Sequence, residues 1–256
     1  MSRAPFSRLA IVGAHGKMGA LFAARCEAAG MDVARLDRPL TEDTLARGLA
    51  GAELVCLSVP AQAVAAVTAL LAAFIKPPAV LIDLCSVKTL PLRDMLDGYD
   101  GPVVGTHPLF GPVPPVDAPN RVALVQGREQ GHPGPLTAVA DWTQRLGFTP
   151  FTTTAAEHDT AMAYIQGLNF VTTVAYLAAK PNNLELSRFI TPSFTRRLDA
   201  AKKLVLEDAP LFTALIEANP HAQDLMRSFT RYLGIAAGGD IDLLVGRASR
   251  WWEKNT

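Results

Sequence analysis

The sequence has little of what marks nucleic-acid-binding, membrane and secreted proteins. Its 24 Lys and Arg residues are matched by 24 Asp and Glu residues, so the net charge is zero with His neutral. Without a surplus of positive charge, neither nucleic acid nor an anionic membrane surface is an expected partner. No segment reaches the roughly 18 consecutive apolar residues of a membrane span, and the N-terminal stretch lacks the apolar run of a signal peptide. We therefore expect a cytoplasmic protein.

Cysteine is also scarce, with three residues at positions 26, 56 and 85. An odd number excludes a complete set of intramolecular disulfides, and the spacing is unlike that of a metal site. All three cysteines lie in apolar stretches. We therefore predict reduced, buried thiols and no bound metal, in keeping with a reducing cytoplasm.

Apolar residues are abundant, at 49% of the 256 positions, and follow two different patterns. The first part of the chain contains seven short β-rich runs: LAIVG, DVARLD, AELVCLSV, AVLIDL, PVVGT, RVALVQ and FTPFTT. Helix-like segments such as 17–29 and 62–75 separate most of these runs, and this alternation predicts a mostly parallel sheet with crossover helices. From Ala155 onward the pattern is helical. We predict an α/β domain over residues 1–154 and an all-α domain over residues 155–256.

The segment LAIVGAHGKMGALFAARCEAAG has the order strand, glycine turn, helix. Its three glycines can provide a tight turn, close approach of the backbone to a pyrophosphate, and close packing of the helix on the strand. The spacing has one residue more than the usual G-x-G-x-x-G. The segment predicts a Rossmann-type dinucleotide-binding domain, and the alternative is a glycine-rich turn that binds nothing. The predicted cofactor contacts in this loop are Gly13, His15, Gly16, Lys17, Met18 and Gly19.

The end of the second strand bears on which dinucleotide is bound. Asp37 lies 18 residues after Gly19, close to the distance at which an acidic residue commonly binds the ribose hydroxyls of NAD. We therefore predict NAD as the cofactor. Arg38 follows directly and could bind a 2′-phosphate, so NADP stays open.

Residues suited to a binding site follow three successive predicted strands. Ser58 and Pro60 end the third strand and Ser86 follows the fourth. His107 follows the fifth, in a GTHPLFGP stretch that its Gly and Pro residues predict to be a stiff turn. Ligands of open α/β sheets bind outside the carboxyl ends of the strands, so we expect Ser58 and Pro60 at the cofactor and His107 near its nicotinamide end. The alternatives are a histidine packed in a turn and, for Ser86, an N-cap of a helix that begins near Lys88.

Four stretches, VGAHGKMG, DLCSVK, GTHPLFGP and EHDTAMAYIQGLN, resemble the prephenate dehydrogenases of tyrosine biosynthesis. They occur in that family's order, and the resemblance runs from about Leu9 to the C-terminal helices. It implies NAD-dependent oxidation of prephenate at C4 with loss of carbon dioxide, which gives 4-hydroxyphenylpyruvate. It further implies that His107 is the base for the hydroxyl proton and that Ser86 orients the hydroxyl. Neutral imidazole, with an ordinary pKa of about 6.5, suits the role of base.

The resemblance also implies an assembly and a domain content. It points to a homodimer in which the helical domains pack together, so we assign substrate binding and dimerisation to residues 155–256. The stretch before the glycine loop is too short for the chorismate mutase domain fused to some members, and no regulatory domain is recognisable at the other end. We therefore expect a monofunctional enzyme.

The helical domain departs from the family's pattern where the substrate carboxylate is bound. Lys203 lies where the family typically has an arginine, and Arg196 lies on the same predicted helix about two turns earlier. Lysine keeps the charge but loses the bidentate fork. A solvent-exposed salt-bridge ladder of Arg196, Asp199 and Lys203 is the alternative.

A second departure lies on the preceding helix. Phe170 stands where many members of the family have a histidine, which leaves Gln166 and Asn169 as polar candidates for substrate binding. His158 and Asp159 match a His–Asp pair of the family, although a cap at a helix start is the simpler explanation of Asp159.

Several functions stay open at this point. The departures leave the substrate undecided between prephenate and arogenate or an amino-substituted prephenate. A β-hydroxyacid dehydrogenase shares the domain plan but does not explain GTHPLFGP. A non-catalytic dinucleotide-sensing regulator would need the glycine loop but not Ser86 and His107 together.

Overall fold

The computed structural model describes residues 5–129, 134–183 and 185–253. The chain divides into two compact units, of which the first ends at Asp159 and the second begins at Thr160. The first unit holds a seven-stranded sheet. The second consists of helices and connecting turns in the parts of it that the structure describes. The separate functions assigned to the two domains stay predictions.

The sheet has the predicted number of strands. They are β1 (Arg8–Val12), β2 (Asp32–Leu36), β3 (Leu54–Leu57), β4 (Val80–Asp83), β5 (Val103–Pro108), β6 (Arg121–Gln126) and β7 (Thr149–Thr153). Their spatial order is β2-β1-β3-β4-β5-β6-β7. Neighbouring strands are parallel except for β5 and β6, which are antiparallel. The predicted mostly parallel sheet is confirmed.

Helices cover both faces of the sheet: α1 (Lys17–Ala28), α2 (Glu42–Leu49), α3 (Val64–Leu71), α4 (Thr89–Gly98) and α5 (Pro135–Arg145). Successive side chains of a strand point to opposite faces. Along β1, Leu9 and Ile11 join an apolar cluster with residues of α1 and α5, whereas Ala10 and Val12 join another with residues of α2, α3 and α4. Burial on both faces explains why β3 is apolar throughout and why β4 is apolar up to its last residue, Asp83.

The first half of the GTHPLFGP stretch, up to Pro108, is strand and not the turn that its composition predicts. His107 lies in β5, where its backbone pairs with Ala123 of β6, and Pro108 still pairs with Val122. The antiparallel partner strand supplies backbone hydrogen bonds to this segment, and that pairing outweighs the local preference of Gly and Pro for a turn. His107 is therefore held by a buried strand.

The second unit begins within a long run of helix. α6 (Ala155–Met162) continues into a π-helical segment, Ala163–Leu168, and then into α7 (Asn169–Ala178). The later helices are α8 (Pro192–Leu206), α9 (Ala209–Ala218), α10 (Ala222–Ala237) and α11 (Ile241–Glu253). Many large apolar side chains of this unit are exposed, and α11 buries none of its residues. Within the described ranges, every helix is too short or too polar to span a membrane.

Candidate active site

The glycine loop between β1 and α1 is shaped by two of its three glycines. Gly13 has a φ of +85°, and a Cβ there would lie 2.2 Å from the carbonyl oxygen of Ser58. A Cβ at Gly19 would lie 2.2 Å from the carbonyl oxygen of Gly13. Gly16, in contrast, is exposed and is the N-cap of α1. Gly13 and Gly19 are thus required by backbone packing, whereas Gly16 leaves the N-terminus of α1 accessible to an anion.

Asp37, the residue directly after β2, is hydrogen-bonded to this loop. Its carboxylate accepts hydrogen bonds from the backbone N–H of His15, at 3.0 Å, and of Arg38, at 2.9 Å. These two bonds lower the pKa of the Asp37 carboxyl. The His15 Nδ1 atom lies 3.7 Å from the same carboxylate. The structure therefore brings Asp37 to the glycine loop, as the spacing predicts.

The other predicted cofactor residues surround the same loop. The Ser58 N–H donates to the carbonyl oxygen of Val12 at 2.8 Å, which places the end of β3 beside Gly13. Ser58 is half-buried and Pro60 is exposed. On α1, Lys17 is exposed, and the partly buried Met18 packs against an apolar cluster.

His107 forms one end of a line of three buried side chains. Its Nδ1 atom lies 2.8 Å from Nε2 of His158, and Nδ1 of His158 lies 2.8 Å from Oδ1 of Asp159. Asp159 is an acceptor, so His158 carries its proton on Nδ1 and has a lone pair on Nε2. That lone pair accepts a hydrogen bond from the Nδ1–H of His107. The lone pair of His107 is then on Nε2, which makes this nitrogen the basic one.

The environment of His107 favours the neutral imidazole. Burial lowers its pKa well below the ordinary value of 6.5, and electrostatic interactions with His158 and with the Lys88 ammonium lower it further. The carboxylate of Asp159 acts in the opposite direction but is outweighed. His107 is thus held in the protonation state that a general base requires.

Asp159 also caps a helix that is distant in sequence. Its carboxylate accepts hydrogen bonds from the N–H groups of Lys88, at 2.7 Å, and Thr89, at 2.8 Å, where α4 begins. Burial would raise the pKa of Asp159, but its hydrogen bonds with His158, Thr89 and Lys88 lower it to about 2. The suggestion that Ser86 caps this helix is wrong, because Asp159 bonds the first N–H groups of α4 and leaves Ser86 half-buried in the segment before it.

A second polar cluster, which contacts Thr106 of β5, was not predicted from the sequence. Lys88 and Asp83 form an ion pair, and both side chains are 0% exposed. The Lys88 ammonium also donates to the carbonyl oxygen of Thr106 at 2.5 Å, and the Thr106 N–H donates to Asp83 at 3.1 Å. The sequence did contain a signal for this cluster: DLCSVK begins with Asp83 and ends with Lys88, two opposite charges beside an apolar strand.

The predicted substrate residues of the second unit lie on two elements. Gln166 belongs to the π-helical segment, and its buried Oε1 has no hydrogen-bond partner within the described part of the chain. Asn169 is exposed at the start of α7. π-Helical turns occur frequently at functional sites. Phe170 is a core residue that stacks on Phe212, with ring centroids 5.2 Å apart.

The candidate cations of α8 are both exposed. Lys203 donates to Asp208 at 2.8 Å, so the suggested ladder through Asp199 is wrong for this lysine. That bond raises the pKa of Lys203, which therefore stays charged. Arg196 is exposed on the same helix.

The chain is similar to known proteins in sequence and in fold. The profile of a family described as "Prephenate dehydrogenase, nucleotide-binding domain" matches residues 34–124. The T-protein of Enterobacter agglomerans is 33% identical over 238 residues, which cover 88% of this chain and 60% of that protein. The chain thus spans less than two thirds of the length of this relative.

Two solved structures share the fold. One is prephenate dehydrogenase from A. aeolicus in complex with hydroxyphenyl propionate and NAD+, with a TM-score of 0.76, 16% identity, and coverage of 99% of this chain and 98% of that one. The other is Synechocystis arogenate dehydrogenase, with a TM-score of 0.72, 19% identity, and coverage of 97% and 100%. At these identities the likeness establishes the fold.

Proposed function

This chain belongs to the prephenate dehydrogenase family, and on that premise we propose that it catalyses the NAD-dependent oxidative decarboxylation of prephenate to 4-hydroxyphenylpyruvate. The observation that carries the proposal is the buried line His107–His158–Asp159, with both gaps at 2.8 Å. In the reaction the ring hydroxyl loses its proton, C4 loses a hydride, and the ring carboxylate leaves as carbon dioxide while the ring becomes aromatic.

His107 is the proposed base for the hydroxyl proton. Its Nε2 carries the lone pair because His158 takes the Nδ1–H and Asp159 fixes the tautomer of His158. Once Nε2 is protonated, the Nδ1 proton can move toward His158, whose positive charge the Asp159 carboxylate would stabilise. A pKa lowered by burial keeps His107 neutral and ready to accept a proton near neutral pH. Ser86, in the segment that leads into α4, is the proposed partner of the same hydroxyl.

The residues around the glycine loop fit a dinucleotide. Gly16 is exposed at the N-terminus of α1, where backbone N–H groups attract a pyrophosphate, and a Cβ at Gly13 or Gly19 would meet backbone. Asp37 is ionised beside this loop and suits ribose hydroxyls, which favours NAD over NADP. Bound NAD would accept the hydride that leaves C4. His15, Lys17, Met18, Ser58 and Pro60 are proposed to line the same site.

Substrate binding is the proposed function of the helical unit. The buried, unpartnered Gln166 Oε1 and the exposed Asn169 offer hydrogen bonds. Lys203 and Arg196 offer positive charge to a carboxylate, although Lys203 would have to exchange its bond with Asp208. Arogenate or an amino-substituted prephenate remains the second candidate, because a solved relative in fold is an arogenate dehydrogenase.

The test is a steady-state assay with prephenate and arogenate, each with NAD and NADP. We expect NADH formation with prephenate, and weaker activity with NADP. His107→Asn should lower kcat roughly 100-fold or more, while NAD affinity stays within about twofold because the glycine loop and Asp37 are unchanged. His221→Asn, at a histidine of the helical unit, is the matched control and should keep full activity. A wild-type protein that binds NAD but oxidises neither substrate would favour the non-catalytic regulator.

A further inference from the structure

A fully buried ion pair holds the backbone directly before the proposed base. The Lys88 ammonium and the Asp83 carboxylate are 0% exposed. Lys88 Nζ donates to the carbonyl oxygen of Thr106 at 2.5 Å, and Asp83 accepts the N–H of Thr106 at 3.1 Å. The Thr106 hydroxyl donates to the Asp83 carbonyl oxygen. Every polar group of the residue that precedes His107 is thus bonded to Lys88 or Asp83.

These bonds replace regular strand pairing on one side of β5. The β4–β5 ladder contains two register pairs, Leu81 with Val103 and Ile82 with Val104. On its other side, β5 pairs with β6 as far as Pro108. The end of β5 that carries His107 is therefore held toward β4 by the ion pair.

Lys88 is bonded to one end of the histidine line, Asp159, and to the residue that precedes the other end, His107. Its side chain holds the strand of His107, and its backbone N–H donates to Asp159, the acceptor of the His158 proton. A displacement of Lys88 would therefore change the 2.8 Å contact between His107 Nδ1 and His158 Nε2.

Stability alone does not explain why two charged side chains, Asp83 and Lys88, are buried here. Taking two charges out of water is costly, and buried ion pairs can often be replaced by apolar side chains of similar volume without loss of stability. The contacts of this pair with Thr106 supply a different reason, because they fix the geometry of a functional side chain.

We propose that Lys88 is a positioning residue for the reaction: with Asp83 as its counter-ion, it holds the end of β5 so that His107 faces His158. The inference rests on the proposed function, since it takes His107 as the base. Besides His158 and Asp159, which belong to the line, the charged groups at this place are Lys88 and its counter-ion Asp83. After burial and the interaction with His158, the charge of Lys88 contributes to the lowered pKa of His107.

The test is the double variant Asp83→Asn/Lys88→Met, which removes both charges and nearly keeps both volumes. We expect it to fold and to bind NAD as the wild type does, whereas kcat falls by about tenfold or more because the base is less well placed. The acidic limb of the pH–rate profile should move to higher pH, because Lys88 is the member of the ion pair whose charge lowers the pKa of His107. Arg93→Met is the matched control: Arg93 lies on α4, the helix that begins directly after Lys88, is exposed, pairs with Asp94, and should be replaceable without effect.

A second measurement does not depend on turnover. The imidazole of His107 is titrated by NMR in the free protein, and its signal is assigned by comparison with His107→Asn. The double variant should titrate at higher pH than the wild type. If the double variant does not fold, Lys88→Gln, which keeps a donor without the charge, takes its place with the same readouts. An unchanged kcat and an unchanged titration would overturn the inference, whereas a wild type that fails to turn over prephenate would overturn the proposed function instead.

Discussion

His107 is a buried base whose surroundings set the pH range in which it works. Its pKa lies well below 6.5, first because of burial and then because of electrostatic interactions with His158 and Lys88. The active form is the neutral one, so lowering the pKa extends activity toward acid. At pH 6.5 a histidine with an ordinary pKa is half protonated, whereas His107 is mostly in the neutral form that can accept a proton.

The first prediction is the position of the acidic limb. We expect kcat/KM to be constant through neutrality and to fall only below pH 6.5, as His107 becomes protonated. The measurement is kcat/KM from about pH 5 to about pH 8 with a saturating cofactor. His221→Gln should leave the limb in place. A limb centred at or above pH 6.5 would contradict the lowered pKa of His107.

Asp159 makes two contributions, because it orients His158 and caps α4. Its pKa is lowered from 3.8 to about 2, so its folded form binds protons less readily than its unfolded form. The stability from this difference is complete above pH 3.8 and is lost as the pH falls toward 2. Its size is on the order of 2 kcal/mol, since one pKa unit corresponds to about 1.4 kcal/mol.

The second prediction is the effect of Asp159→Asn on unfolding. An amide NH₂ would face a backbone N–H of α4, so we expect the free energy of unfolding near neutral pH to fall by roughly 2–4 kcal/mol. The difference from the wild type should shrink below pH 3.8, where the wild-type carboxyl begins to lose its advantage. Urea unfolding at several pH values measures this. Asp43→Asn, an exposed first-turn carboxylate of α2, is the control, and equal effects of the two substitutions would refute the capping role.

At the scale of elements, the three glycines between β1 and α1 have different roles, two in backbone packing and one in cofactor binding. Gly13 and Gly19 make the close backbone contacts, whereas Gly16 is exposed at the helix N-terminus. A Cβ at Gly16 would come no closer than 3.2 Å to the carbonyl oxygen of Gly13. The glycines should therefore respond differently to the same substitution.

The third prediction contrasts Gly19→Ala with Gly16→Ala. Gly19→Ala should destabilise the fold, because its Cβ would lie 2.2 Å from a backbone oxygen. Gly16→Ala should fold but bind NAD about tenfold or more weakly, because its Cβ intrudes where the pyrophosphate approaches. Thermal unfolding and an NAD titration distinguish the two. Gly234→Ala, in open space on α10, should be neutral or stabilising, and a Gly16→Ala protein with normal NAD affinity would refute this placement of the cofactor.

At the scale of the whole molecule, the helical unit leaves apolar surface exposed. Leu243 is 65% and Trp252 71% exposed, both on α11, which buries none of its residues. Exposed apolar surface of this kind marks interaction sites. We propose that it is covered by a second copy of the chain, since two-fold dimers are the commonest oligomers.

The fourth prediction is a dimer mass of about 55 kDa in solution, twice the 27.3 kDa of the chain. Light scattering at micromolar concentration measures it. Leu243→Glu/Trp252→Glu should shift the protein to monomer, whereas Leu70→Glu, at an exposed leucine of α3, should not. A monomer mass for the wild type would refute the proposed self-association.

The sequence by itself determined the layout of the sheet and the cofactor loop. Alternating β-rich and helix-like segments predict all seven strands, because burial on two faces requires apolar strands and crossover helices. The glycines at 13 and 19 and the acid at 37 are local requirements of a strand–loop–helix unit, so their spacing is sufficient to find them. His107 was also found from its place after the fifth predicted strand, whereas its role as base and the pairing of His158 with Asp159 came from the family resemblance.

Only the tertiary structure decided how these side chains meet. His107 contacts a histidine 51 residues away, and Asp159 caps a helix whose first residue is 70 positions before it. The Asp83–Lys88 pair and the strand conformation of GTHPLFGP up to Pro108 likewise depend on neighbours from other elements. Local pattern records which face of an element is apolar, but a hydrogen bond between distant residues depends on where folding brings them, and no sequence period carries that information.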